Sequence, residues 1–468
     1  MQQPTEAEAA YREAIRLRPT EVDAHANLGL LLQQGHRFAE AEAALRQAIA
    51  LQPDYAEVYV NLGVLLQTIH RPAEAEATYW QAIRLQPECA EAHYNLGAFL
   101  QGQHRLAEAE AAYQHAIRSQ PDHAEACWNL SLLYLSLGRF QEGWPLHEAR
   151  HHPNKREQRV VPLAVPFPRW NGEPLPGHSL LLVAEQGLGD QIQFCRYAAH
   201  LKARGVRWLT LVCAAPLAAL FASLAGVDQV LVPSTSHDYP AHDYWAFYLA
   251  IPLHLATTLA TIPQEIPYLR APADRLAVWE RGLPPADFRV GLVWKGNLNN
   301  KKGTDRSLPA LTVLAPLWSV PGVAFVSLQK GDGEAEASQP PPDQPLFHPG
   351  AAIQDFADTA AIVTHLDLVI SIDSAVAHLA GALGKPCWVL LPARETDWRW
   401  LQGRADSPWY PGVMRLFRQK RPEEWSAVVE EVRAALVVLV CMSQEDHDLA
   451  RPGHAPARPE NQPACRDL

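Results

Sequence analysis

The chain of 468 residues lacks most of the features that would tie it to a metal, a membrane or a nucleic acid. Its seven cysteines are scattered, with no Cys-x-x-Cys pair and no Cys/His cluster at zinc spacing. That pattern argues against a disulfide framework and fits reduced thiols in a cytoplasm. There is no basic excess. The formal net charge of -11 excludes a general nucleic-acid or anionic-membrane binder, although local basic pockets stay open. The leading residues MQQPTEAEAAYREAI are polar and acidic, so no signal peptide is expected there. Long uncharged runs are also scarce. One, from Trp208 to Val227, is broken by Pro216, and its β-rich half WLTLVC precedes an Ala/Leu half, so it reads as strand, turn and helix and no integral membrane association is expected. What is present is core material. A hydrophobic fraction of 48% against 19% charged residues describes a globular protein, and about 150 residues per domain gives roughly three domains.

The first third repeats itself. Asn-Leu-Gly begins at Asn27, Asn61 and Asn95 and Asn-Leu-Ser at Asn129, each step being 34 residues. Pro19, Pro53, Pro87 and Pro121 keep the same period. So do the small residues Gly29, Gly63 and Gly97, with Ala41, Ala75 and Ala109, and the bulky partners Leu45, Tyr79 and Tyr113. One helical pair cannot bury its apolar stripe alone, whereas stacked pairs can. The period and the small/large alternation resemble the tetratricopeptide repeat, so residues 1–150 are expected to form an α-solenoid. Ala7, Tyr11, Ala14 and Pro19 match only the second helix of a repeat, and the pattern drifts from Phe140 to Trp144. In that family the first helices line a concave face. There the asparagines Asn27, Asn61, Asn95 and Asn129 either hydrogen-bond an extended peptide backbone or stabilise packing between repeats.

Residues 151–178 are polar and proline-bearing and read as a connector. Apolar runs suited to buried parallel strands follow at 179–185, 208–213 and 229–232, then at 289–294, 323–328, 366–372 and 387–391, with helical segments between. Proline-rich breaks at 262–274 and 284–285 divide two α/β series, 179–275 and 286–440. Ligands of such sheets bind beyond the carboxyl ends of the strands. Three ends stand out: Gln186-Gly-Leu-Gly189-Asp190; the polar loop from Trp294-Lys295 to Arg306; and Ser371-Ile-Asp373-Ser374-Ala-Val-Ala-His378. In the last, a strand turns into a helix whose free N–H groups suit a phosphate.

Asp373-x-x-x-x-His378-Leu-Ala-x-Ala-x-Gly-x-Pro386 is similar to the donor-site signature of the heptosyltransferase-like glycosyltransferases (glycosyltransferase family 9). Gly189-Asp190 resembles that family's acceptor-side motif. Joined to an asparagine-bearing repeat array, the whole resembles the protein O-GlcNAc transferases and the bacterial repeat-bearing glycosyltransferases. The resemblance implies a GT-B fold of two Rossmann-like domains. It implies a nucleotide-diphosphate sugar as donor, inversion at the anomeric carbon, and a protein or peptide acceptor held by the repeats. It makes Asp190 the general base, with helix capping as its structural alternative, and sets Arg306 against the departing diphosphate where the family has a lysine, a solvated surface arginine being the alternative. It puts Ser374 and His378 on the β-phosphate, with Asp373 orienting the turn, a purely structural strand-helix turn being the alternative. Lys295 and Lys330 lie at strand ends as nucleotide contacts, and Asp355 and Asp358 suit capping or ribose binding.

Other patterns fail. Gly381-x-x-Gly384-Lys385 has Leu379 and Pro386 where a phosphate loop needs glycine and Ser/Thr, and Ile192 stands where a dinucleotide fingerprint needs its third glycine. No cofactor and no metal are expected. Asp446-His-Asp448 lies in a polar tail, 443–468, expected to be disordered. The helix before it, from Glu423, is expected to cross back onto the first α/β domain. Trp398, Trp400, Trp409 and Tyr410 read as core or hinge packing. Two other readings compete: a non-catalytic repeat scaffold with a degenerate transferase-like domain, and a glycan-directed transferase. Exposed repeat ends permit self-association.

Overall fold

A computed structural model describes residues 4–156, 159–233, 239–298, 306–394 and 396–450. The chain divides into two compact units, Met1–Leu135 with Glu142–Pro162, and Ser136–Gln141 with Leu163–Leu468. The segment read as a connector, 151–178, is therefore split near 162. Its second part is not a bare linker: Trp170 N–H donates to the Trp245 carbonyl at 2.7 Å and Trp245 N–H to the Pro168 carbonyl at 3.0 Å.

The repeat unit is built from α1 (Pro4–Leu17), α2 (Val22–Gln34), α3 (Phe38–Leu51), α4 (Ala56–Thr68), α5 (Pro72–Leu85), α6 (Ala90–Gly102), α7 (Leu106–Ser119), α8 (Ala124–Ser136) and α9 (Phe140–His147). The 34-residue residues have physical jobs. A Cβ on Gly63 would lie 2.5 Å from Tyr79, and one on Gly97 2.7 Å from Tyr113, so glycine is what lets the paired helices close up. Ala41, Ala75 and Ala109 are fully buried opposite them. The prolines supply carbonyls that accept hydrogen bonds from six residues on: Pro19 from His25 Nε2 (3.0 Å), Pro53 from the Tyr59 hydroxyl (3.0 Å) and Pro87 from His93 Nε2 (2.8 Å). Arg37, Arg71 and Arg105 then stitch neighbours together, reaching Glu8, Glu42 and Glu76 of the preceding repeat at 2.6, 2.7 and 2.7 Å. First helices end on a residue in the left-handed region: His36, His70 and His104 at φ 58–59°, then Gly138 at 75°. One repeat is imperfect. The Tyr79 and Tyr113 hydroxyls donate to the Gln67 and Gln101 side-chain oxygens at 3.2 and 2.9 Å. Leu45 replaces that tyrosine in the first pair, and the buried Gln33 Oε1 has no hydrogen-bond partner among the described residues.

The second unit holds two wholly parallel sheets. The first contains β1 (Ser179–Val183), β2 (Trp208–Val212), β3 (Gln229–Leu231) and β4 (Tyr244–Phe247) in the order β3-β2-β1-β4. The second contains β5 (Phe288–Val293), β6 (Val323–Ser327), β7 (Leu346–Phe347), β8 (Leu368–Ile372), β9 (Cys387–Leu391) and β10 (Met414–Arg418) in the order β10-β9-β8-β5-β6-β7. Counted from β5 this is 3-2-1-4-5-6 read from one edge, the doubly wound order. An aspartate ahead of one strand repeatedly ties down the start of its neighbour. Asp243 accepts from Ser179 N–H (2.7 Å), Asp228 from Leu209 N–H (2.7 Å) and Asp367 from Arg289 N–H (2.7 Å).

The uncharged run Trp208–Val227 folds as β2 and the short helical turns Ala215–Leu217 and Ala218–Phe221. Among the described residues no helix is long and apolar enough to cross a membrane. Two expectations need correction. The last helix, Trp425–Ala450, has its main packing on Leu311–Ser319 and β10 of the second sheet, not on the first α/β domain. It also runs through 443–450, the start of the expected disordered tail, because SQEDHDLA contains no helix breaker before Pro452. The rest of the expected disordered tail, 451–468, lies outside the described residues.

Candidate functional site

In a doubly wound sheet the strands on either side of the order reversal lead their connections to opposite faces, which opens a crevice at their carboxyl ends. In the second sheet that reversal falls between β5 and β8, which pair directly. The chain leaves β5 as Trp294-Lys295 and leaves β8 as Asp373-Ser374. Ser374 has extended backbone (φ −147°, ψ 167°) and is the N-cap of the helix Ala375–Ala382, its hydroxyl accepting from Ala377 N–H at 3.4 Å and bonded to the Ser371 hydroxyl at 2.9 Å. Asp373, 6% exposed, accepts from Arg306 Nη1 at 3.2 Å. Withdrawal from water pushes the Asp373 carboxyl above the ordinary aspartate range, and Asp397 adds to that while Arg306 opposes it. The Arg306 Nε is buried and, among the described residues, without a hydrogen-bond partner.

The first sheet meets this turn. Gly187 caps the helix Leu188–Phe194 that follows β1, and Gly189 in its first turn lies on the His378 ring. A Cβ there would be 2.9 Å from His378 Cδ2 and 3.5 Å from Ala375 Cα, so the missing side chain is what permits the approach. Next to it Asp190 is ion-paired with Arg399. Arg399 also holds Asp397 at 2.9 Å and the Gln193 side-chain oxygen at 2.6 Å. Burial raises the Asp190 carboxyl above the ordinary range despite the Arg399 guanidinium.

His378 is pushed down to about 3, mainly by burial and further by Arg399, so the imidazole is neutral at pH 7. It stacks on Trp400 with ring centroids 5.1 Å apart and shares a hydrogen bond between Nδ1 and the Tyr410 hydroxyl at 2.9 Å. Beside this pair the Tyr268 hydroxyl donates to the Ile192 carbonyl at 3.1 Å and accepts from Arg196 Nη2 at 3.0 Å.

Asp190, Arg306, Gly189, Asp373, Ser374 and His378 are thus gathered at one crevice. Lys295 and Lys330 follow their own strands, but their ammonium groups are held by Glu336 and, at 3.1 Å, Glu334 of the helix Glu334–Ser338. Asp355 caps the helix Phe356–Thr364, accepting from Ala357 and Asp358 N–H at 2.8 and 3.1 Å, and Asp358 accepts from Arg275 and the Trp279 indole at 3.0 Å. Trp398, Trp400, Trp409 and Tyr410 are buried, as packing residues should be. Part of the polar loop, 299–305, lies outside the described residues. The sequence reading missed Arg399 and Asp397. A cation between two tryptophans (Trp398-Arg399-Trp400) was the available signal, because Arg399 lies 4.4 Å from the Trp398 ring centroid.

In the repeat unit Asn27, Asn61, Asn95 and Asn129 recur on α2, α4, α6 and α8. Asn95 Nδ2 donates to the Glu91 carbonyl at 2.8 Å and Asn129 Nδ2 reaches the Tyr113 hydroxyl at 3.5 Å, so both are half-buried and have structural bonds. Asn61 lines a concavity of about 310 Å³ with Leu30, Gln33, Phe38, Val64 and Thr68.

Comparison with known proteins bears out the repeat reading. Residues 1–56, 27–68, 60–101 and 100–143 match the tetratricopeptide repeat. The first third of the chain is therefore a tetratricopeptide-repeat solenoid. Protein FlbA of Caulobacter vibrioides is 30% identical over 326 residues, 65% of this chain and 53% of its own length. The chain thus spans about half of that curated relative. Among solved structures, MamA is 24% identical (30% of this chain, 83% of that chain, TM-score 0.28). YrrB, described as a tetratricopeptide-repeat protein with an unusual peptide-binding site, is 20% identical (33% and 80%, TM-score 0.27).

Proposed function

We propose that the α/β unit is a glycosyltransferase that moves a sugar, with inversion, from a nucleotide-diphosphate sugar to an acceptor hydroxyl, and that the repeat unit presents a protein or peptide acceptor. The observation that carries the reading is the turn at 373–378, which stands at the reversal of the second sheet and is met by Arg306 and, from the first sheet, by Gly189. In the step proposed, the acceptor oxygen loses its proton to Asp190 and attacks the anomeric carbon. The bond from that carbon to the phosphate oxygen breaks, and the nucleoside diphosphate leaves with the electron pair. A carboxyl raised by burial is a better base than an ordinary aspartate. The leaving charge falls to Arg306, whose Nε has no partner among the described residues, and to the amino end of Ala375–Ala382. No metal is called upon. The scattered cysteines, with no disulfide among the described residues, support a cytoplasmic site of action.

The test is calorimetry and hydrolysis against UDP-, GDP- and ADP-sugars, with Arg306→Ala and Asp190→Asn alongside. Saturable binding weakened by Arg306→Ala, and turnover abolished by Asp190→Asn, are the expected results. Silence toward every donor favours the scaffold reading, for which the Asp190–Arg399 ion pair across the crevice is the supporting observation.

A further inference from the structure

The face of the repeats that carries the asparagines carries a second ladder. Asp23, Glu57, Glu91 and Glu125 each occupy the second position of α2, α4, α6 and α8, with the same 34-residue period. Each stands four residues before Asn27, Asn61, Asn95 or Asn129, which puts acid and amide on one helix face a turn apart. Such a row of carboxylates is a common solvated surface. Here, however, part of it is covered by something shaped like a ligand.

The chain returns over the last two carboxylates after α9, as His152-Pro-Asn-Lys155-Arg156. Lys155 is only 6% exposed, and its Nζ lies 2.6 Å from Glu125 Oε2 and 5.6 Å from the centroid of the Trp128 ring. The main-chain N–H of Arg156 donates to the other Glu125 oxygen at 2.8 Å, so that carboxylate reads side chain and backbone together. The Arg156 guanidinium reaches Glu91 at 3.6 Å, and Asn154 Nδ2 reaches Asp122 at 3.4 Å. A buried ammonium seated between a carboxylate and an aromatic face, with its backbone bonded, is how an extended basic peptide would be held. Asp23 and Glu57, at the other end of the row, remain exposed.

We propose that this face of the repeats takes an extended, Lys/Arg-bearing peptide running along Glu125, Glu91, Glu57 and Asp23, and that residues 152–156 are a built-in occupant which such a partner displaces. The inference rests on the reading that the repeats present a peptide, and it supplies that peptide's charge. It is independent of any sugar transfer. The strap competes as a tethered ligand, so a free peptide meets a groove that is already partly filled.

Fluorescence anisotropy on the full chain, without nucleotide sugar, tests it with a labelled peptide of residues 151–158, HHPNKREQ. Removing the strap's grip with Lys155→Ala plus Arg156→Ala is expected to raise the peptide's affinity by about tenfold or more over the unaltered chain. Adding Glu91→Gln and Glu125→Gln to that variant is expected to bring it below the unaltered chain, and rising salt to weaken it. If the double variant loses helical circular dichroism, Arg156→Ala alone, at an exposed side chain, should still give a gain of about twofold to threefold. Equal affinity with and without the strap's side chains, or equal binding of the charge-reversed control HHPNEEEQ, overturns the proposal. If the control or a neutral peptide binds while the basic one does not, only this inference falls. If no peptide binds any variant, the presentation reading falls with it.

Discussion

Gly189→Ala should separate packing from propensity at the crevice. In a helix interior, alanine in place of glycine is worth about 0.8–1 kcal/mol of added stability. At position 189 the new methyl would sit 2.9 Å from His378 Cδ2 and 3.5 Å from Ala375 Cα. The ring cannot swing away cheaply, because Trp400 stacks on it and Tyr410 holds Nδ1. Overpacking of that kind costs about 1–3 kcal/mol, which leaves a net loss of up to about 2 kcal/mol. Gly102 on α6 is the control, since a Cβ there meets nothing within 4 Å, and Gly102→Ala should stabilise by up to about 1 kcal/mol. Urea unfolding followed by tryptophan fluorescence for the α/β unit, and by circular dichroism for the repeats, reads both. A cycle with His378→Ala isolates the clash: the double variant should recover about 1 kcal/mol relative to the sum of the singles. Stabilisation by Gly189→Ala, or strict additivity with His378→Ala, would refute the contact.

Other outcomes follow from the same geometry. Leu45→Tyr should stabilise the repeats by about 0.5–1.5 kcal/mol, because the hydroxyl would reach the orphaned Gln33 oxygen as Tyr79 and Tyr113 reach Gln67 and Gln101; a lower urea midpoint would count against it. His70→Gly, at φ 59°, should raise the melting temperature, because the left-handed conformation costs a non-glycine residue about 1 kcal/mol. His378, lowered to about 3 in the folded chain, stays neutral while the unfolded chain binds a proton below its ordinary range near 6.5. Stability should therefore fall by about 1.4 kcal/mol per pH unit from this group as pH drops below about 6.5 and level off near 3. The difference between wild type and His378→Asn, measured from pH 7 to pH 5, should carry that slope, and a flat difference would show the ring is solvated.

The repeats were legible because the glycine and its bulky partner recur three times at a 34-residue spacing, so Gly63 and Tyr79 announce one another. The strand-end motifs were legible for a similar reason: Asp373 and His378 sit where a buried run breaks into a helix. β4, β7 and β10 were not found. β4 is four residues of YWAF, β7 only two, and β10 interleaves Arg415 and Arg418 with its apolar residues. Such segments become strands through their neighbours rather than through their own pattern. Long-range charge pairing was equally hidden. Nothing near Lys295 in sequence shows that Glu336 neutralises it, and Arg399 stands 209 residues from Asp190. Polar composition alone does not end a helix: SQEDHDLA has no breaker before Pro452, and the last helix runs on to Ala450.

The aspartates Asp228, Asp243 and Asp367 fasten both sheets at the rim opposite the crevice. With alignment settled there, a slip of one residue would have to break a carboxylate clasp as well as turn every side chain over. The loops leaving the far rim are relieved of that duty. They can lengthen, shorten or change chemistry to suit a new substrate without the strands beneath them losing step.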